Sequence, residues 1–317
     1  MSRIQMFRSG VLSALSVVLC ATGSLASAAD CAPSATVDLS ISADQPTIAP
    51  GHTGTQTVRV SNSGETTTGE SLVAFVTPAY TNIDREVPLP AGCTLHYQNQ
   101  DPTVPEVVNC RIPAGLAADR PVQLAIPLAV TERARLTGQL LDSLSVVPAL
   151  ESPDVEANMN DNWTTTSITV TRPTPAAPAG NRVGLYMAAD VPFLEKDQTA
   201  SAKVTYGNTG PAAMTDPVQI TLVTPFTVNV DRTVALPAGC RIVLADQGLA
   251  SPEIIVCTLP ALGVDEQRTL VVPLRALGGG LTGRTSGTAL IAPAGSDIET
   301  DQTDNLGLLS VKIPYRG

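Results

Sequence analysis

Leu89-Pro90-Ala91-Gly92-Cys93 returns as Leu236-Pro237-Ala238-Gly239-Cys240, and each copy is followed at the same interval by a second cysteine, Cys110 and Cys257. Both second cysteines precede an apolar-Pro-Ala step, Ile112-Pro113-Ala114 and Leu259-Pro260-Ala261. An identical pentapeptide with an equal cysteine interval marks a duplication, so the two copies can be compared position by position.

Strand periodicity runs outward from these stretches. Val37, Leu39 and Ile41 alternate with polar residues, the period of a half-buried strand, and Val183, Leu185 and Met187 answer them. Gln56, Val58 and Val60 match Ala202, Val204 and Tyr206, and both runs end in an Asn-x-Gly turn, Asn62-Ser63-Gly64 and Asn208-Thr209-Gly210, where positive φ is expected to be tolerated. Leu72 to Val76, Val122 to Leu128, Ile168 and Val170 add strands to the first copy. Ile220 to Val223, Thr269 to Leu274, and Leu309, Val311 and Ile313 do so in the second. Pro127 and Pro273 fall in register inside such runs, a position expected on edge strands or bulges. No segment keeps helical periodicity over three turns. The expectation is an all-β chain of two tandem Ig-like antiparallel β-sandwich domains.

The boundaries follow. Arg3 and Arg8, an apolar run from Val11 to Ala21 and Ala26-Ser27-Ala28 predict a signal peptide over residues 1–28. The apolar run is too short for a bilayer span, so no transmembrane anchor is expected after processing. Domain 1 is placed at 29–171 and domain 2 at 181–317. Between them lies a Pro-rich linker at 172–180, Arg172-Pro173-Thr174-Pro175-Ala176-Ala177-Pro178-Ala179-Gly180, expected to be an extended, semi-rigid spacer. Removing Arg3 and Arg8 from 19 basic side chains leaves 17 against 29 acidic ones, a formal charge of −12. That balance excludes a nucleic-acid partner, which needs clustered Lys and Arg.

Five cysteines remain beyond the leader, and export favours their oxidation. The duplication assigns Cys93–Cys110 and Cys240–Cys257 as one bridge per domain. Zinc is a poor competitor, because two cysteines with no histidine in the second copy cannot fill a tetrahedral site. Cys31 is left over as a free thiol, a tether to another chain, or a cysteine bonded elsewhere.

In order, the motifs are an opening Asp-Leu strand, a Pro turn, a Val-rich strand into Asn-x-Gly, Leu-Pro-x-Gly-Cys with a second Cys, and an Asp/Asn-rich turn. The chain resembles the bacterial secreted conserved-repeat Ig-like domains, the eleventh of the domain-of-unknown-function families, which are related to the bacterial cell-adhesion-related domain. Asn208-Thr209-Gly210-Pro211 matches that family's Asn-x-Gly-Pro turn, and Asp161-Asn162 and Asp304-Asn305 sit where it has an Asn-rich turn before the last strand. The first copy departs in having Glu65 where proline is expected. The resemblance implies an Ig-like fold and a secreted or cell-surface location, and it implies no activity.

Few residues offer chemistry. His52 and His96 are the two histidines, and neither belongs to a nucleophile elbow. Acidic turns are the sharpest candidates: Asp154, Glu156, Asn158, Asn160 and Asp161 in the first copy, Asp297, Glu299, Asp301 and Asp304 in the second. Alternating oxygens suit calcium, yet the same side chains satisfy a turn by accepting local backbone N–H groups, and this second role is preferred. No other cofactor is expected. One tryptophan, Trp163, expected in the core or at a hinge, and few other aromatics make no sugar-binding platform. The preferred function is a secreted, non-enzymatic tandem module for cell-surface association or protein contact, with an extracellular protein or cell-wall component as partner. The alternatives are a calcium-stiffened adhesive protein and an extracellular hydrolase that uses acidic residues alone.

Overall fold

The computed structural model describes residues 34–134, 138–149, 151–171, 180–190, 192–195, 198–245, 252–277 and 283–313. The leader, Cys31 and linker residues 172–179 lie outside these. Every regular element among the described residues is a strand.

In the first half these are β1 (Thr36–Val37), β2 (Leu39–Ala43), β3 (Thr47–Ile48), β4 (Thr53–Asn62), β5 (Ser71–Val76) and β6 (Thr81–Ile83). They continue with β7 (Cys93–Tyr97), β8 (Val107–Ile112), β9 (Val122–Val130), β10 (Gly138–Pro148), β11 (Val155–Glu156) and β12 (Trp163–Val170). The second half has β13 (Arg182–Val183), β14 (Leu185–Ala189), β15 (Thr199–Asn208), β16 (Val218–Val223), β17 (Val228–Val230) and β18 (Cys240–Leu244). It closes with β19 (Ile254–Leu259), β20 (Glu266–Ala276), β21 (Gly283–Pro293), β22 (Ile298–Glu299) and β23 (Leu306–Ile313).

Two sheets make each sandwich. In the first half β2-β4-β9-β6 faces β3-β12-β10-β5-β8-β7, and in the second β14-β15-β20-β17 faces β18-β19-β16-β21-β23. The order is the same in both, except that β3 is answered only by a single bridge between Phe193 and Lys312. Both halves are Ig-like antiparallel sandwiches. Alternation fills their cores: Leu39, Ile41, Val58, Val60, Val73 and Phe75 point into the first, Leu185, Met187, Val204, Tyr206, Ile220 and Leu222 into the second.

Strands β5 and β16 depart from half-burial, because all six residues of each are buried. Val73 and Phe75 face their own core, whereas Leu72, Ala74 and Val76 face away from it. Val76, Val104 and Val107 cluster with Val223, Ile254 and Val256 of the second half. The outer faces of the two larger sheets therefore pack on each other, and both sandwiches belong to one compact unit. Ser143 and Thr288, which hold equivalent places on β10 and β21, meet hydroxyl to hydroxyl across this seam. The seam has the self-complementary character of a twofold interface.

The repeated pentapeptide is a turn that delivers a cysteine. Cys93 N donates to Pro90 O at 3.0 Å, Gly92 sits at φ 80°, and Cys240, Pro237 and Gly239 (φ 83°) repeat the arrangement. Positive φ at the third turn position is what glycine supplies there. Cys93 then pairs directly opposite Cys110, and Cys240 opposite Cys257, and both pairs are bridged.

The Asn-x-Gly turns need glycine for a different reason from the one expected. Gly64 and Gly210 are not at positive φ. A Cβ on Gly64 would lie 2.6 Å from Thr36 O, and one on Gly210 would lie 2.2 Å from Gly184 N. Asn62 locks the turn by accepting from the N–H groups of Asp38 and Gly64 and donating to the carbonyls of Glu65 and Leu116. Asn208 makes the equivalent bonds to Gly184, Gly210, Ala212 and Gly263.

Pro127 and Pro273 lie in inner strands, contrary to the edge expectation. Each falls one residue beyond the last pair that the short neighbouring strand β6 or β17 makes, so that side of the ladder has already ended. Their carbonyls still accept, from Asp84 N and Asp231 N.

Candidate functional site

The acidic turns lash the end of each sandwich to its opening strands. Asp154 accepts from Thr68 N, Thr68 Oγ1 and Gly69 N, and Asp297 accepts from Thr215 N, Thr215 Oγ1 and Asp216 N. Glu156 accepts from Leu39 N, Asn158 N and Asn162 Nδ2. Glu299 accepts from Leu185 N, Thr300 N and Asp301 N. Asn158 Oδ1 takes Asn160 N, and Asp301 takes Thr303 N and Oγ1. The backbone carbonyls of Asp161 and Asp304 accept from Ile41 N and Met187 N. These bonds join β11 and β22, at the far end of each copy, to β2 and β14 at its start.

Electrostatics divide the set. Burial pushes Glu156 and Glu299 up to about 7 against the bonds that favour their charged forms. Burial also raises Asp161 and Asp304, the latter helped by the neighbouring Asp301 charge. Asp154 is partly desolvated, but the donors of Thr68 and Gly69 outweigh that and hold it below the usual carboxylate range. Thr303 does the same for Asp301. Among the described residues the acids do not gather into a group of three or more around one point. The carboxylates of Asp154, Glu156, Asp297, Glu299 and Asp301 already have protein donors, which is the turn-capping arrangement.

Other expected site residues lie apart. His52 is exposed in the turn before β4, and His96 is half-buried on β7. Asn162 begins a glycosylation sequon, yet it is buried and its Nδ2 is engaged by Val146 O and Glu156. Two ion pairs on buried glutamates were not foreseen from the sequence. Glu106 takes Arg85 and the N–H groups of Ile83 and Asn99, and Glu253 takes Arg232 and Val230 N. Their signal was available as an arginine and a glutamate conserved between the copies at one spacing.

The seam between the sandwiches opens into clefts. One is bounded by Ala79, Tyr80 and Leu141 from the first half and Leu290, Asn305 and Leu306 from the second, and the Tyr80 hydroxyl donates across it to Pro293 O at 3.5 Å. Asn305 is buried there, and its Oδ1 has no hydrogen-bond partner. Next to it, Tyr80 and Arg133 face Asp297, Glu299 and Gln302 across a polar cleft. Other openings lie along the seam, against Val147, Met159, Asn162, Trp163, Phe226 and Ser286. Trp163, expected in a core or hinge, thus opens β12 at the seam.

No family model matches the chain, and no curated protein does. Among solved structures, the CARDB domain of a Pyrococcus furiosus protein, in complex with di-metal ions, is 14% identical over 42% of this chain and 96% of its own, with a TM-score of 0.27. A Streptococcus agalactiae AgI/II polypeptide C-terminal domain is 7% identical over 87% of this chain and 99% of its own, with a TM-score of 0.22. Native E. coli alpha-2-macroglobulin is 15% identical over 88% of this chain, with a TM-score of 0.22, and the chain spans only 17% of its length. Likeness at this level adds nothing to what strand order already establishes. No helix among the described residues is long and apolar enough to cross a membrane.

Proposed function

We propose that this chain is an exported, non-enzymatic Ig-like module that works by protein contact at the cell exterior. The observation that carries the reading is the state of its acids. Asp154, Glu156, Asp297 and Glu299, the side chains the acidic turns would offer to an acid-based hydrolase, are tied to the chain's own backbone amides. A general acid or base needs a free lone pair or proton within reach of substrate. The leader-like start, the two disulfides and the resemblance to secreted conserved-repeat domains favour an extracellular setting. The partner is an extracellular protein or a cell-wall component, with Cys31 available as a tether.

Two assays test this. The mature protein is expected to be inert towards glycoside, ester and peptide substrates, and turnover abolished by Glu156→Gln or Glu299→Gln would overturn the reading. Fractionating the producing cells with and without reductant follows the chain itself. Retention in the wall fraction until reductant is added supports the tether, and recovery as free monomer in the medium counts against surface association.

The acidic turns are proposed to be caps and not calcium sites. Millimolar calcium is then expected to leave the melting temperature unchanged. A rise that Asp154→Asn and Asp297→Asn abolish would establish the metal instead.

A further inference from the structure

One polar cluster interrupts the apolar core of the first sandwich and has no counterpart in the second. Gln56 of β4, Asp142 of β10 and Thr166 of β12 are buried there. The matching registers of the second half put Ala202, Gly287 and Leu309 in their places. Asp142 and Gln56 are both fully enclosed. A polar group so placed is costly unless its atoms find partners.

Most of these atoms do. Asp142 Oδ1 accepts from Thr166 N at 3.2 Å, and the Gln56 amide donates to the same carboxyl. Gln56 Nε2 also donates to Asp44 O at 3.1 Å, and Thr166 Oγ1 donates to that carbonyl at 3.2 Å. Two acceptors are left without a donor, Asp142 Oδ2 and Gln56 Oε1. They belong to the two groups that already touch. A carboxylic acid and a primary amide close a ring through two bonds, amide N–H to the acid and acid O–H to the amide carbonyl. The first bond is in place. The atoms that the second would join are the two orphans.

A carboxylate only accepts, whereas the neutral acid carries one O–H donor. No cation is at hand to favour the carboxylate. The charged neighbour that acts on Asp142 is Asp44, in the turn after β2, and it is itself an acid. Strands β2, β3, β5, β9 and β12 bring no titratable side chain, and Arg59 of β4 is exposed. Burial accordingly pushes the Asp142 carboxyl up to about 7.

We propose that Asp142 is a proton-binding site, in which its neutral carboxyl pairs with the Gln56 amide and the proton on Oδ2 is donated to Gln56 Oε1. The pair is a pH-sensitive clasp between the two sheets of the first sandwich, because β4 belongs to one and β10 to the other. When the proton leaves to solvent, a buried charge is left against an unpaired carbonyl oxygen. The next residue along β10, Ser143, makes the contact with Thr288 at the seam, so one strand joins the clasp to both sandwiches. The pair is internal to the chain and independent of any partner.

Carbon-13 NMR of the full mature chain, titrated from about pH 4 to about pH 9, reads the pair directly. The Asp142 carboxyl signal is identified by its loss in Asp142→Asn. It is expected to keep its protonated position past about pH 6 and to ionise near 7, which is proton binding roughly a thousandfold tighter than an exposed aspartate's. The Gln56 side-chain carbonyl should shift at the same midpoint in the wild type and stay constant in Asp142→Asn. That variant supplies the donor permanently, so its melting temperature should match the wild type's at about pH 5 and exceed it at about pH 8. Should the variant fail to fold, sequential assignment of the wild type carries both titrations without it. An Asp142 signal already ionised at about pH 6, or a Gln56 carbonyl that ignores the Asp142 midpoint, would overturn the proposal. An ionised signal together with a melting temperature raised by sodium or calcium would place a cation between the two oxygens instead.

Discussion

Glu106 and Glu253 do the same work in the two sandwiches. Each is fully buried, each accepts from the backbone at the end of a short edge strand, and each holds an arginine from the next turn. The arginines are half-exposed, so the attraction is partly screened, and the glutamate's bonds to backbone N–H groups carry more of the effect. Glu106→Ala leaves buried amides unpaired and is expected to cost about 3 kcal/mol. Denaturant unfolding checks it, and Arg85→Ala should cost less. Asp142 has no counterpart acid. Gln56, Asp142 and Thr166 stand in the first core where Ala202, Gly287 and Leu309 stand in the second. Burial pushes Asp142 up to about 7, against hydrogen bonds from Gln56 and Thr166 and with help from the Asp44 charge. A carboxyl raised in the folded state binds its proton more tightly there than in the unfolded chain. Its contribution is therefore full below about pH 4 and is lost as pH rises through about 7. Glu156 and Glu299 add the same sign. The melting temperature is expected to fall between pH 5 and 8, and Asp142→Asn should flatten part of that slope and raise stability at pH 8 by a few degrees. A melting temperature that rises over this range would contradict the assignment.

The cysteine hairpins show what the sequence could convey at the scale of the element. Leu-Pro-Ala-Gly-Cys is legible because its chemistry is local: proline and glycine set the turn, and the turn sets the register of Cys93 with Cys110. Each bridge closes a loop of 17 residues and is expected to contribute about 3 kcal/mol. Cys93→Ser with Cys110→Ser should lower the denaturant midpoint accordingly, and the matching pair in the second half should do likewise. Alternation likewise announced β2, β4, β14 and β15, since one face of each is wet. It was less informative for β5, where Leu72-Val73-Ala74-Phe75-Val76 is apolar throughout. That run was readable as a strand, but its second buried face had no marker without knowledge of what covered it. The Asn-x-Gly glycines were placed correctly for the wrong reason, because close backbone approach leaves no trace in sequence that distinguishes it from positive φ. The same holds for Glu106 and Glu253. An isolated glutamate reads as a surface residue until the topology buries it. The acidic turns were readable as turns. Their donors, Thr68 and Thr215, come from distant loops and were not.

At the scale of the whole molecule, duplication led to an expectation of two bodies on a spacer, and the seam is what that expectation left out. The linker at 172–179 lies outside the described residues, but the sandwiches meet regardless, through β5, β8, β10 and their counterparts. Burial of Val76, Val107, Val223 and Ile254 across the seam, with Ser143 against Thr288 at its centre, predicts that the halves unfold together. Ser143→Arg should split or broaden the thermal transition by placing a charge where the two hydroxyls meet. Every contact across the seam requires the two sandwiches to be packed together in solution. Small-angle scattering of the mature chain in dilute solution tests this most directly. A single packed body of this length should have a radius of gyration of about 19 Å. A radius of about 25 Å or more, with the two-lobed distance distribution of separated domains, would contradict the seam and every contact assigned to it.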